Sequence, residues 1–125
     1  THLAEPLFQD VLADAAVIRL LLLAFDPNGK AIGERANSMW LYIVPQGMRE
    51  VMKYIKCKYG NLPVIITENG MDDSNDPLMP IDEALKDDKR IRYHNEYLQQ
   101  LAAAINEDGC NVKGYFAWSL LDNWE

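Results

Sequence analysis

The sequence predicts an α/β fold built on a parallel sheet. An apolar pattern of helical period over about 46–59 is followed by the β-branched run Val64-Ile65-Ile66-Thr67. A second helical pattern over about 83–107 is followed by a second strand-like run from Val112 to Trp118. Strands that alternate with helices of this length are the mark of βαβ units, whose strands lie parallel. The composition, 49% hydrophobic and 25% charged, is that of a folded domain.

The elements can be justified in order. Residues 1–25 form a leader of different character, with the apolar run Ala15-Ala16-Val17-Ile18-Arg19-Leu20-Leu21-Leu22-Leu23-Ala24-Phe25. That run carries an arginine and is far short of the about 20 residues that cross a bilayer, so no membrane span is expected. A third strand is expected near Ala13 to Leu23, and the run Leu20 to Leu23 would favour aggregation if exposed. Pro45 suits a first helical turn. Met48, Val51, Met52, Ile55 and Tyr59 then recur on one face, and Gly60 stops the helix. The run from Val64 to Thr67 is almost continuously apolar, as in strands covered on both faces.

A loop is expected from Glu68 to about Ile81. Its Asp72-Asp73-Ser74-Asn75-Asp76 stretch lacks the spaced ligands, the central glycine and the closing glutamate of a calcium loop, so it reads as a solvated turn and no metal is expected. The second helix, about 83–107, is expected to bury Ile91, Leu98, Leu101 and Ile105 and to stop near Gly109. His94 falls on that face and reads as a hydrogen-bonded core residue. By the same reasoning Trp40, Trp118 and Trp124 read as core aromatics. Asn69 and Asn123 read as turn or capping residues.

A formal net charge of −7 argues against nucleic acid as a partner, whose binders carry basic patches. Cys57 and Cys110 show no C-x-x-C spacing and no nearby histidine cluster, which removes a zinc or redox motif. Each is expected to be buried and reduced, and no cofactor is expected. The first residues show no basic region followed by an apolar core and cleavage site, so no signal peptide is read there.

Glu68 is the residue with most chemical promise. In Ile66-Thr67-Glu68-Asn69-Gly70 a carboxylate stands where a strand gives way to a glycine turn, the place where (β/α) barrels keep their working side chains. A second motif, Gly114-Tyr115-Phe116-Ala117-Trp118-Ser119-Leu120-Leu121-Asp122-Asn123-Trp124-Glu125, follows the second strand. With Ala36-Asn37-Ser38-Met39-Trp40-Leu41-Tyr42-Ile43-Val44-Pro45-Gln46-Gly47, these segments closely resemble the C-terminal part of plant β-glucosidases of glycoside hydrolase family 1, over about residues 26–125. The resemblance implies a partial (β/α)8 TIM barrel, made of C-terminal strand–helix units only and not closed.

It also implies hydrolysis of O-glycosidic bonds in small-molecule β-glucosides by a retaining double displacement. In that family the glutamate of I-T-E-N-G is the nucleophile, which corresponds to Glu68. The tryptophan and final glutamate of the F-A-W-S-L-L-D-N-W-E stretch line the sugar subsite, which corresponds to Trp118 and Glu125. Plant members are commonly secreted, vacuolar or plastidic; that address would lie in an N-terminal targeting segment, and these residues leave localisation open.

Length bounds these expectations. A closed barrel typically needs about 250 residues, and the sequence has 125. Retaining glycosidases also need a second carboxyl group about 5–5.5 Å from the nucleophile to protonate the leaving oxygen. The family carries it in a T-x-N-E-P-type motif. The nearest match, Ala4-Glu5-Pro6, lacks the asparagine and reads as an ordinary pre-proline residue. Two alternatives therefore stand beside the hydrolase: an inactive truncated remnant without the acid/base glutamate, and a weak sugar-binding module that uses Trp118 and Glu68 without catalysis.

Overall fold

The computed structural model describes residues 25–74 and 76–121. The strand expected near Ala13 to Leu23 lies outside them. In chain order the elements are β1 (Glu34–Arg35), β2 (Tyr42–Ile43), α1 (Pro45–Tyr59), β3 (Val64–Asn69), α2 (Ile81–Ala84), α3 (Asp88–Asn106) and β4 (Val112–Ala117). β1 and β2 pair as a short antiparallel ladder, and β3 and β4 pair in parallel. The β3–α3–β4 unit is the right kind of βαβ crossover for a barrel wall, and the two strands do not close on themselves. Among the described residues, no helix is long and apolar enough to cross a membrane.

Helix α1 starts at Pro45, as its sequence predicts, and ends where Gly60 takes a left-handed φ of 76°. There the Gly60 N–H closes on the Lys56 carbonyl, a conformation that costs glycine little. Met52 is buried, and Met48, Val51 and Ile55 pack partly buried beside it, so the predicted face is the one used. Strand β3 runs to Asn69, two residues beyond the expected end. Its covering differs from expectation: Ile65 is 57% exposed, while Val64 and Ile66 pack toward the helices. Only one sheet face is covered among the described residues.

The long helix begins at Asp88 rather than near 83, because the four-residue α2 intervenes and its carbonyls are closed by Leu85 and Lys86. Its buried side also differs. Tyr93, Tyr97, Leu101 and Ala104 are buried, whereas Ile91, Leu98 and Ile105 are exposed. Of the expected residues only Leu101 is in the core. The apolar arc of α3 is wider than the surface that α1 and the sheet cover. The tyrosines take the covered part because partners for their hydroxyls lie there. Ile91, Leu98 and Ile105 recur every seven residues and form a flank beside it.

Two clusters make the core. Met52, Leu101, Ala104 and Cys110 join α1, α3 and the sheet, and Ala36, Ile43, Met71, Tyr93 and Tyr97 join α3 to the strand ends and the β1–β2 ladder. Cys110 is buried as expected, but Cys57 is exposed on the outer side of α1; both are free thiols. At the opposite end from Glu68, Arg49 of α1 donates to both Asp108 oxygens (2.6 and 3.0 Å) and to Glu107 (2.7 Å). Lys56 donates to the Asp108 carbonyl (2.5 Å). Arg49 holds the Asp108 carboxyl below the usual carboxylate range, the effect of an opposite charge in hydrogen-bond contact.

Candidate active site

The site is built where β3 and β4 end. Strand alternation alone would place Glu68 on the face of Val64 and Ile66, toward the helices. The register prevents this. Ile66 pairs with Tyr115 and Asn69 with Ala117, so β3 spends three residues where β4 spends two. This β-bulge shifts the alternation by one residue, as bulges near functional sites do. Asn69, not Glu68, turns toward α3, and Glu68 is left exposed with Thr67 at the strand end.

The asparagine is locked in that position. Tyr93 of α3 donates its hydroxyl hydrogen to Asn69 Oδ1 (2.9 Å), and Asn69 Nδ2 donates to the Tyr115 hydroxyl oxygen (2.9 Å). His94 Nδ1 approaches the same Tyr115 hydroxyl at 3.4 Å. Tyr93 and Tyr97 stack with ring centroids 4.3 Å apart, and Val44 donates its N–H to the Tyr97 hydroxyl (3.0 Å). Burial pushes the Tyr93 hydroxyl well above the ordinary tyrosine range and raises that of Tyr97, because the phenolate would lose its water. These hydroxyls therefore stay protonated at neutral pH. His94 is a half-buried member of this group, consistent with its expected role.

Two contacts bring further segments to the same end. The Trp118 N–H donates to the Asn69 carbonyl (2.8 Å), which continues the β3–β4 ladder past β4. Gly70 approaches the Trp118 carbonyl so closely that a Cβ there would lie 1.9 Å from its oxygen. Glu68 and Trp118 thus emerge side by side at the ends of adjacent parallel strands. Asp72 accepts the Ser38 N–H (2.6 Å) and its hydroxyl (2.7 Å), which ties the segment bearing Trp40 to the turn after Gly70. The Asp72 side chain is therefore a structural tie rather than part of a solvated turn. Asp73 and Asp76 accept the N–H groups of Ser74 and Leu78 as local turn residues.

Trp118 is 42% exposed and Trp40 77% exposed, so neither is the core aromatic that composition suggests. Both stand at the strand-end surface. Trp124, Asn123 and Glu125 lie outside the described residues. Asn69 is the residue whose importance the sequence conceals. The available signal was indirect: tyrosines on a buried helix face need polar partners, and the strand-end asparagine is one of the few that β3 offers.

Chemically, an exposed carboxylate on a fixed strand end beside an aromatic plane suits attack on a sugar ring. An aromatic face stacks on the C–H surface of a pyranose while the carboxylate addresses its reacting carbon. Among the described residues, no group of three or more histidine, cysteine, aspartate or glutamate side chains is placed to hold a metal ion.

Comparison with known proteins identifies the family. A family model described as Glycosyl hydrolase family 1 matches residues 16–125. Beta-glucosidase 6 of Oryza sativa subsp. japonica is 60% identical over 125 residues, which are 100% of this chain and 23% of that protein. The chain thus spans about a quarter of the length of the curated relatives it matches. A crystal structure of a rice β-glucosidase superposes with a TM-score of 0.76 and 70% identity, covering 78% of this chain and 20% of that one. A mutant of that rice enzyme, in a covalent complex with Glc, matches with the same TM-score, identity and coverage.

Proposed function

Because the chain belongs to glycosyl hydrolase family 1, and its fold is part of that (β/α)8 barrel, we propose that it carries the nucleophile side of a retaining β-glucosidase site. The observation that carries this reading is the bulge of β3, which turns Asn69 inward and leaves Glu68 exposed beside Trp118. In the proposed reaction a Glu68 carboxylate oxygen attacks the anomeric carbon of a small β-glucoside. The bond from that carbon to the leaving oxygen breaks, and a glycosyl ester forms on Glu68. Water then attacks the same carbon from the opposite face and releases the sugar with its configuration retained.

Trp118 is assigned to stacking on the sugar ring and Glu125 to its hydroxyls. The leaving oxygen also needs an acid to protonate it, a role for which these residues offer no T-x-N-E-P-type motif. A specific observation favours a second reading for the 125 residues acting alone, namely no turnover. Ile65, Phe116, Ile91 and Leu98 are all exposed, and such faces are normally covered in a finished barrel.

The test uses the natural full-length chain. Glu68→Gly should lower hydrolysis of an aryl β-glucoside by about 10⁴-fold or more, as removal of a nucleophile does. Azide, small enough for the vacated space, should restore turnover and yield the α-glucosyl azide, since a single displacement inverts configuration. Unchanged hydrolysis, or a β-configured azide product, would overturn the assignment.

A further inference from the structure

We infer that Asn69 is the positioning residue of this site, a small polar clamp that sets where the Glu68 carboxylate sits by fixing the bulge beneath it. The inference rests on the assignment of Glu68 as nucleophile. A bulge leaves an extra residue outside the ladder, so the local backbone is held only by what its neighbours bond. Here the bulge is closed on its far side by one residue. Asn69 uses its carbonyl for the Trp118 N–H (2.8 Å), its Oδ1 for the Tyr93 hydroxyl (2.9 Å) and its Nδ2 for the Tyr115 hydroxyl (2.9 Å). One side chain thus ties β3 to α3 and to β4 at the position next to Glu68.

The partners are themselves held. Tyr93 is 3% exposed and stacks on Tyr97, and Tyr115 also meets His94. A carboxamide fits this place because it both donates and accepts; an aliphatic residue would strand two half-buried hydroxyls. A carboxylate on a loose bulge would still bind sugar but would wander relative to the anomeric carbon. Loss of the clamp should therefore slow bond formation more than it weakens binding.

The test measures covalent trapping in the natural full-length chain with a 2-deoxy-2-fluoro β-glucoside bearing a dinitrophenolate leaving group. In that reaction a Glu68 oxygen bonds to the anomeric carbon and dinitrophenolate departs unprotonated, so general acid catalysis does not enter. Peptide mapping of the label and the trapping rate are read together. Asn69→Ala should slow trapping by about 30- to 100-fold, the effect of roughly ångström-scale misplacement, while the reagent's dissociation constant stays within about threefold. Tyr93→Phe and Tyr115→Phe each delete one hydroxyl with little loss of packing, and together they should reproduce most of that slowing.

Met52→Ala, in the other core cluster and without a bond to Asn69 or its tyrosine partners, should cost stability and leave the trapping rate alone. Trapping by the Tyr93→Phe/Tyr115→Phe chain at the parent rate, with the label on Glu68, would overturn the inference and leave the proposed function standing. An equal slowing in Met52→Ala would overturn it as well, since the effect would then be general loosening of the core. A label on another residue would remove both.

Discussion

Gly70→Ala should damage both stability and turnover, by an amount that follows from one distance. The added Cβ would lie 1.9 Å from the Trp118 carbonyl oxygen and 2.9 Å from its carbon, where real Cβ atoms do not come nearer than 3.0 Å. The obstacle is backbone, which has no rotamer to escape into, so the two strand ends must part by about 1 Å. That movement stretches the 2.8 Å bond from the Trp118 N–H to the Asn69 carbonyl past useful length. Losing it costs about 0.5–1.5 kcal/mol. Overpacking typically adds about 1–3 kcal/mol, and together they predict a loss of about 1.5–4.5 kcal/mol.

Because the displaced atoms adjoin Glu68 and Trp118, kcat/KM for an aryl β-glucoside should fall by about 10²-fold, the scale of a 1 Å misplacement. Gly47→Ala is the control within the same chain. Its Cβ would meet only Val44 Cγ1 at 3.9 Å, an ordinary contact, and replacing this first-turn glycine should stabilise by about 0.4–1 kcal/mol through the unfolded chain. Denaturant midpoints and kcat/KM of both full-length variants decide the matter. If Gly70→Ala keeps its midpoint and loses less than about threefold in kcat/KM, the close approach does not hold the strand ends together, and the geometric reasoning fails.

Two further outcomes are expected of the core and its charges. Asp108 titrates below the usual carboxylate range because Arg49 bonds it. Its stabilising contribution is therefore present above the unfolded value of about 4 and is lost as pH falls through the lowered folded value. Asp108→Asn should be less stable than the parent at pH 7, with the gap closing as pH falls through the lowered folded value; a gap independent of pH would exclude the ion pair as its source. Ala104 is 0% exposed in the seam between α1, α3 and the sheet. Ala104→Leu should cost about 1–3 kcal/mol, while Ala102→Leu on the exposed side should change stability by less than about 0.5 kcal/mol, both read from denaturation midpoints.

What was legible in the sequence was whatever depended on one element alone. The start of α1 at Pro45, its Met48–Met52–Ile55 face and its Gly60 stop are written in local spacing, as are β3, β4 and their order. The family, too, is legible in the strand-end motifs that carry Glu68 and Trp118. Readings that depend on a partner went differently. Which part of the α3 arc is buried depends on how much surface α1 and the sheet present, so Ile91, Leu98 and Ile105 read like Leu101 although they are exposed. Cys57 and Trp40 look apolar in composition, and their exposure is decided by neighbours far away in the chain. The parity of Glu68 and Asn69 depends on β4 spending two residues where β3 spends three, and a single strand contains no record of that count.

The bulge has a consequence for how this segment can vary over time. Side chains along β3 can be exchanged for others of similar bulk, yet the number of residues between Val64 and Gly70 is not free to change. A one-residue insertion before Glu68 that kept the bulge would preserve every letter of the Glu-Asn-Gly turn while rotating the glutamate inward against the tyrosines. Such a gene copy would keep its signature and lose its chemistry. Spacing from the strand, rather than presence of the motif, is the more telling mark by which silent copies could be told from working ones.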